Sequence, residues 1–234
     1  MSNTIVLKKG LDVPVKGVAE KRLSKTIVPG TVAVRPSDFK GLLPRLLVKE
    51  GDRVLVGSPV LSDKKNPAVL VCSPVSGEVS AIVRGEKRKL LAVLVKTDDK
   101  QEYHQFGIAE AGKADARQIK ELLLASGLWP LLIQRPYGII ANPDAAPKGI
   151  FVSTWDSAPL APDAEFCYAQ KKNAIQAAVS ALSKIAPVHL SHNAKDFAAS
   201  SFSSLKDCEH HVFKGKHPAG NVGVQISWIS PIKK

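Results

Sequence analysis

The order of sequence patterns predicts a protein of α/β plus all-β class, with a small β-module followed by an α/β domain. Three observations carry this. Between residues 44 and 96, short β-branched runs alternate with glycine turns, as in Glu50-Gly51-Asp52-Arg53-Val54 and Ser76-Gly77-Glu78-Val79. From Ala111 to Ser126 the apolar period changes to that of a helix. Beyond Gly149, short apolar strands alternate with helical stretches, which implies a parallel sheet with helices on its faces.

Residues 1–35 read as an N-terminal arm: a strand at Thr4–Leu7, then Gly10, Pro14, Gly17, Pro29 and Gly30 punctuating irregular structure. Residues 36–97 form the β-module. Its order is a valine-rich strand, a Gly-Asp turn, a strand, a hairpin at Lys64-Lys65, the apolar run Ala68–Cys72, a Pro-x-Ser-Gly turn and a last strand pair. That order resembles the barrel-sandwich hybrid of biotinyl and lipoyl carrier domains. A carrier lysine must stand at a hairpin tip within a phrase that a ligase reads. Biotinyl domains are usually read as Ala-Met-Lys-Met, and lipoyl domains place Asp or Thr before the lysine. Here the tip reads Ser62-Asp63-Lys64-Lys65-Asn66-Pro67. Lys64 follows an Asp, which keeps a lysine-modified carrier as an alternative; the favoured reading is an unmodified tip whose lysines discourage edge pairing.

The cluster Arg84-Gly85-Glu86-Lys87-Arg88-Lys89 reads as a polar hairpin turn between strands 77–83 and 90–95, and residues 98–112 as a linker. An α/β domain of Rossmann-like type is expected over 113–213. Its first helix puts Ile119, Leu122, Leu123 and Ser126 on one face, with Gly127 just past its end. Gly149–Trp155 reads as a buried strand. A long helix is expected within Asp163–Ile185, on the spacing of Ala174, Ile175, Ala178, Val179 and Leu182. Pro187–Ser191 is a second strand, Asn193–Ser201 a further helix and His210–Phe213 another strand. Residues 214–234 begin a C-terminal region that is cut short.

Composition narrows the function. The net charge is +12, and residues 1–100 hold 19 Lys/Arg against 10 Asp/Glu, the remainder 14 against 11. Such a surface suits an acidic protein or anionic lipid. Nucleic acid is disfavoured, because aromatics are 6% and do not interleave with the basic residues. Cys72, Cys167 and Cys208 show no Cys/His ligand spacing, so no structural zinc or iron–sulfur site is read, and His210-His211 point to opposite faces of their strand. No apolar run approaches the ~18 residues of a membrane span, and no leader pattern opens the chain; a cytoplasmic chain is expected. No Gly-x-Gly-x-x-Gly, P-loop or nucleophile elbow occurs, so no catalytic residue and no cofactor-binding residue is assigned.

Several phrases in series carry a resemblance across nearly the whole chain. They are Gly10-Leu11-Asp12-Val13-Pro14 with Gly17, Asp38-Phe39-Lys40-Gly41-Leu42 with Pro44, Ser73-Pro74-Val75-Ser76-Gly77, and Arg84-Gly85 with Arg88. After them come Ser126-Gly127-Leu128-Trp129, Gln134-Arg135-Pro136-Tyr137, Ile150-Phe151-Val152-Ser153, Asp156 with Pro159-Leu160-Ala161, and His217-Pro218-Ala219-Gly220. The series resembles the NqrA family, named for the first-lettered subunit of the sodium-translocating NADH:quinone reductase. That family is similar to the RnfC proteins of Rnf complexes and to the flavin-binding subunit of respiratory complex I. In those relatives a glycine-rich loop after the first helix cradles FMN. Here Gly127-Leu128-Trp129-Pro130 stands in that place, consistent with a lost flavin site. The chain departs from the family after Gly220, where Gly223-Val224-Gln225-Ile226-Ser227 replaces a histidine-bearing phrase.

The resemblance implies a peripheral subunit on the cytoplasmic face of the bacterial inner membrane, part of a translocase that passes electrons from NADH to ubiquinone and exports sodium. Flavins and an iron–sulfur centre belong to other subunits, the partners are that complex's membrane subunits, and family members extend well beyond residue 234. Two sets of candidate residues follow: Trp129, Arg135 and Tyr137 for a quinone contact, and Arg84, Lys87, Arg88 and Lys89 for docking a partner.

Overall fold

β-branched residues and turn glycines alternate between positions 31 and 97, and the computed structural model folds them into two sheets. It describes residues 4–17, 19–107 and 113–232. In chain order the elements are β1 (Thr4–Val6), β2 (Thr31–Val34), β3 (Pro44–Leu46), β4 (Arg53–Val54), β5 (Pro59–Asp63), β6 (Leu70–Cys72), β7 (Gly77–Arg84), β8 (Leu90–Thr97), α1 (Ala116–Ala125), β9 (Ile133–Gln134), β10 (Ile139–Ile140), β11 (Ile150–Ser153), α2 (Ala164–Tyr168), α3 (Lys172–Ser183), β12 (Val188–Asn193), β13 (Glu209–Lys214) and α4 (Val222–Ile229). The described residues gather into two units. One lies within 25–109 and 117–145, the other within 1–24, 110–116 and 146–234.

The first unit contains the expected β-module. A four-stranded sheet β2-β8-β7-β4 and a three-stranded sheet β3-β5-β6 bury one valine-rich core, including Val54, Val60, Leu61, Val71, Val79, Val93 and Val95. Burying such side chains contributes roughly 1.5–3 kcal/mol each. Thr31–Val34, read from sequence as irregular structure of the arm, instead forms β2, which pairs antiparallel with β8 and belongs to this sandwich. The expected hairpins form at 64–69 and 85–89, between β5 and β6 and between β7 and β8. The start of the segment 98–112 is stitched to the module: Arg53 bonds both carboxylate oxygens of Asp98 at 3.2 and 3.0 Å, and the Ser76 hydroxyl accepts the Glu102 N–H. Residues 108–112 lie outside the described residues, as does the beginning of the helix expected from Ala111.

Helix α1 ends where the sequence predicts. Gly127 has φ +71°, the Leu128 N–H donates to Leu123 O and the Gly127 N–H to Leu124 O. This is the Schellman arrangement, which needs a residue that tolerates positive φ. A Cβ there would also lie 2.7 Å from Cys72 Sγ, so only glycine lets the helix end approach β6. Ile119 is buried, while Leu122, Leu123 and Ser126 are half-buried.

The second unit is a parallel sheet in the order β1-β13-β12-β11. Its core packs Val179 of α3 on Val188 and Leu190 of β12, with Phe202 and Leu205 beneath. Strand β1, expected only as part of an arm, is the sheet's edge strand. Two helices differ from expectation. The long helix is broken at 169–171 into α2 and α3. The apolar spacing that predicted it covers only 174–182, and α2 is anchored separately: Asp163 caps it, and Glu165 accepts from the Ser200 hydroxyl and the Ser201 N–H. The helix expected over Asn193–Ser201 does not form; Asn193 ends β12, and 3₁₀ turns occupy 197–199 and 201–204. Asn193 Oδ1 accepts the Lys195 N–H and Ser200 Oγ the Phe202 N–H, so side chains compete for the donors a helix would use.

Candidate functional site

The basic hairpin predicted from sequence lines a groove of the first unit. The groove encloses about 750 Å³, with Pro36, Leu42, Pro44, Leu46, Leu90 and Leu91 among its apolar walls. Six cations complete the lining: Arg45, Lys64, Arg84, Lys87, Arg88 and Lys89. All six are exposed, and no carboxylate lines the groove. Every predicted docking residue is thus brought together here. Arg45 and Lys64 were not predicted, because strand pairing of β3 with β5, and not sequence proximity, delivers them.

The hairpin that presents them is held in an unusual conformation. Gly85 and Lys89 close it through an N–H to carbonyl bond of 2.8 Å, and Arg84 Nη1 donates to Arg88 O. Between them Lys87 (φ 52°) and Arg88 (φ 59°) are both left-handed. A non-glycine residue in that region costs roughly 1–2 kcal/mol. Two such residues in succession, both long cations, mark a turn whose sequence is not optimised for folding alone.

The lysine tip is bound into the same unit. Asp63 Oδ1 accepts the N–H groups of Leu43 and Lys65, and the Lys64 N–H donates to Leu43 O. The other predicted set is divided. Trp129 is 5% exposed, and its indole N–H donates to Ala141 O at 2.8 Å. Arg135 and Tyr137 sit on the tip of the β9–β10 hairpin, Tyr137 at 67% exposure. Trp129 therefore packs beneath the hairpin while the other two present to solvent. Cys72 lies beside Ala125 O, and burial pushes its thiol up to about 11, far from a reactive thiolate.

In the second unit, phrases from both ends of the chain converge. The Leu11 N–H donates to His217 O, the His217 N–H to Asp12 Oδ1, and the Gly220 N–H to Ser157 Oγ, which also bonds His217 Nδ1 at 3.0 Å. A Cβ on Gly10 would meet His217 O at 2.6 Å, and one on Gly220 the Ser157 N at 2.3 Å. Close backbone approach explains both glycines. Gln225, where the chain departs from the histidine-bearing phrase, is fully buried and donates to Ser153 Oγ and Ala219 O.

The same sheet carries four histidines on two strands. On one face His192 bonds His210 at 2.8 Å and Thr154 Oγ1 at 3.3 Å, while His210 also bonds Leu205 O. On the other face His189 and His211 meet beside Glu209. The alternation that put His210 and His211 on opposite faces holds. Both side chains are half-buried. The Glu209-x-His211 spacing, which puts two ligand types on one face, is the signal that sequence reading passed over.

Burial, then the neighbouring His210 and His211, lowers His192 from 6.5 to about 4. A base whose folded-state pKa is depressed stabilises the fold while neutral. Between pH 6.5 and 4 the unfolded chain binds the extra proton, so this contribution is complete above about 6.5 and is lost as pH falls towards 4. The full span is worth about 3 kcal/mol. Urea unfolding at pH 7 and pH 4.5 is expected to show that loss in the second unit, and His192→Gln is expected to flatten it.

Comparison with known proteins places these features in a family. Residues 5–98 match the model described as the NqrA N-terminal barrel-sandwich hybrid domain, and residues 114–234 the NqrA second alpha/beta domain. Residues 117–145 fall within the second match while packing with the first unit. The chain is similar to the NqrA subunit of the Na(+)-translocating NADH-quinone reductase of Pseudomonas aeruginosa, 36% identical over 230 residues, covering 97% of this chain and 51% of the relative. The Yersinia pseudotuberculosis protein of that name is 33% identical over 234 residues (98% and 52%), and the Actinobacillus succinogenes one 34% over 230 residues (97% and 51%). The chain spans about half the length of the curated relatives it matches.

Proposed function

The chain belongs to the NqrA family, and on that premise we propose that it serves as a peripheral subunit of a sodium-translocating NADH:quinone reductase. In this reading it docks on the complex's membrane subunits at the cytoplasmic face and supports electron transfer to ubiquinone coupled to sodium export. It carries no redox group of its own; the flavins and the iron–sulfur centre reside on other subunits. The observation that carries the proposal is the identity with relatives of that name across 97% of the chain, both domains in order. Two structural features support it. Among the described residues no helix is long and apolar enough to cross a membrane, so attachment to a membrane complex through those residues uses a surface. The groove of the first unit, apolar within and cationic at its rim, suits an acidic segment of a partner subunit that also offers apolar side chains.

A direct quinone contact is the second reading. It rests on Arg135 and Tyr137, the exposed members of the trio, and has less support because the Trp129 indole is engaged with Ala141 O.

Purification of the natively expressed protein through an affinity tag tests the proposal. Multi-span membrane subunits are expected to accompany it, with sodium-stimulated oxidation of NADH by quinone in the eluate. Once separated from them, the protein is expected to show no flavin absorbance and the mass of an unmodified chain. Purification of the protein alone, or with stoichiometric flavin, biotin or lipoate, would overturn it.

A further inference from the structure

We infer that His189, Glu209 and His211 form a binding site for one zinc-class divalent transition ion. Parallel pairing of β12 with β13 sets the Cα of His189 opposite that of Glu209, and His211 lies two residues further along the same face. Three potential ligand atoms converge as a result. His189 Nδ1 lies 3.1 Å from His211 Nε2 and 3.3 Å from Glu209 Oε2, and His211 Nε2 lies 3.8 Å from that oxygen.

Those distances match a coordination polyhedron. With metal–ligand bonds of about 2.05 Å, the edge of a tetrahedron is about 3.3–3.4 Å, and the observed edges straddle that value. An ion therefore fits with shifts of a few tenths of an ångström. It would take the place of the direct contact between the two ring nitrogens.

The surroundings hold the ligands in place. The ring of Phe151 on β11 stacks on His189 at 4.7 Å between centroids and 19° between planes. Next to that ring Gly149 leaves room for the imidazole: a Cβ there would come within 3.1 Å of His189 Cδ2 and Nε2 and 3.4 Å of Phe151 Cε2. The two histidine side chains are 13% and 19% exposed, whereas that of Glu209 is 66% exposed. The nitrogens are thus fixed by the sheet, the carboxylate closes the site from solvent, and the open side leaves a fourth position for water. Two imidazoles with one carboxylate select Zn²⁺, Co²⁺ or Ni²⁺ over Na⁺, Mg²⁺ or Ca²⁺, which prefer all-oxygen shells.

The test uses the purified chain without a histidine tag, stripped with chelator, then titrated with Zn²⁺ by calorimetry and with Co²⁺ by visible absorbance. One equivalent of each ion is expected to bind, with Co²⁺ showing the intense bands of a low-coordinate site. Glu209→Gln changes an exposed side chain and leaves the sheet intact; it is expected to weaken binding by at least about tenfold. His211→Gln is expected to abolish it, and His104→Gln, at an exposed histidine outside the cluster, to leave it unchanged. No saturable uptake by the wild-type chain, or uptake that Glu209→Gln and His211→Gln leave unaltered, would overturn the assignment.

Discussion

Replacing Gly77 with alanine is expected to unfold the β-module at denaturant concentrations where the wild-type module is intact, whereas Gly51→Ala leaves it folded. Both glycines stand in the two turn phrases that first mark the module, but they do different work. Gly51 has φ +85° and nothing within 4 Å of an added Cβ, so alanine meets only the intrinsic penalty of the left-handed region, about 1–2 kcal/mol. A Cβ on Gly77 would lie 1.9 Å from Lys96 O and 2.9 Å from Lys96 C, atoms of the neighbouring strand's backbone. No rotamer change relieves that overlap. Strand β8 must move by more than an ångström, against the pairing of Gly77 with Thr97 and the packing of the buried Val93 and Val95. We expect a loss of about 3 kcal/mol or more.

Trp129 reports on this unit, being buried in it, and the other two tryptophans can be removed at low cost. Trp155 Nε1 is buried without a hydrogen-bond partner, so Trp155→Phe removes an unsatisfied donor, and Trp228 is 56% exposed. Urea unfolding followed by Trp129 fluorescence in that background decides the matter. Equal midpoints for Gly77→Ala and Gly51→Ala would show the close approach to be absent.

The comparison of these glycines also shows where sequence stops being informative. Local rules were legible: β-branched runs became strands, Gly127 ended α1 in positive φ, and the lysine and arginine hairpins formed where turn chemistry placed them. What a strand pairs with was not. Thr4–Val6 reads as a strand in isolation, yet only the register with β13 says that it belongs to the second unit. Thr31–Val34 has the same local character and joins the first. Helical periodicity was trusted over 163–185 although the apolar spacing begins at Ala174; the preceding turn is governed by Lys21, Ser200 and Ser201, none of them near in sequence. The candidate sites follow the same pattern. Four groove cations are consecutive or nearly so and were visible, but Arg45 and Lys64 arrive by cross-strand pairing. The histidine–glutamate trio needs the register between β12 and β13, which no local pattern encodes.

Reversing charge at Arg84, Lys87, Arg88 and Lys89 together, each to glutamate, is expected to prevent the protein from assembling at low ionic strength with the membrane subunits proposed as its partners. All four side chains are exposed, so the module should fold and unfold as the wild type does. Their effect lies in the field they create. With Arg45 and Lys64 they place six cations around one apolar groove and no carboxylate among its lining residues. Reversal turns that rim from six positive charges to two positive and four negative, converting attraction for an acidic partner segment into repulsion. Rim charges act chiefly on association and on specificity, and the change should weaken binding by roughly a hundredfold at low salt. Because such charges interact only within a Debye length, ~8 Å at physiological ionic strength, the difference should shrink as salt is raised. Reversing Lys65 and Lys100, exposed but outside the groove, serves as the control and is expected to leave assembly unchanged. Co-purification across a salt series measures the effect, and flotation with anionic vesicles separates a lipid target from a protein one. If the quadruple variant co-purified as well as the wild type at every salt concentration, or if only vesicle binding responded, docking of a partner subunit in the groove would be wrong.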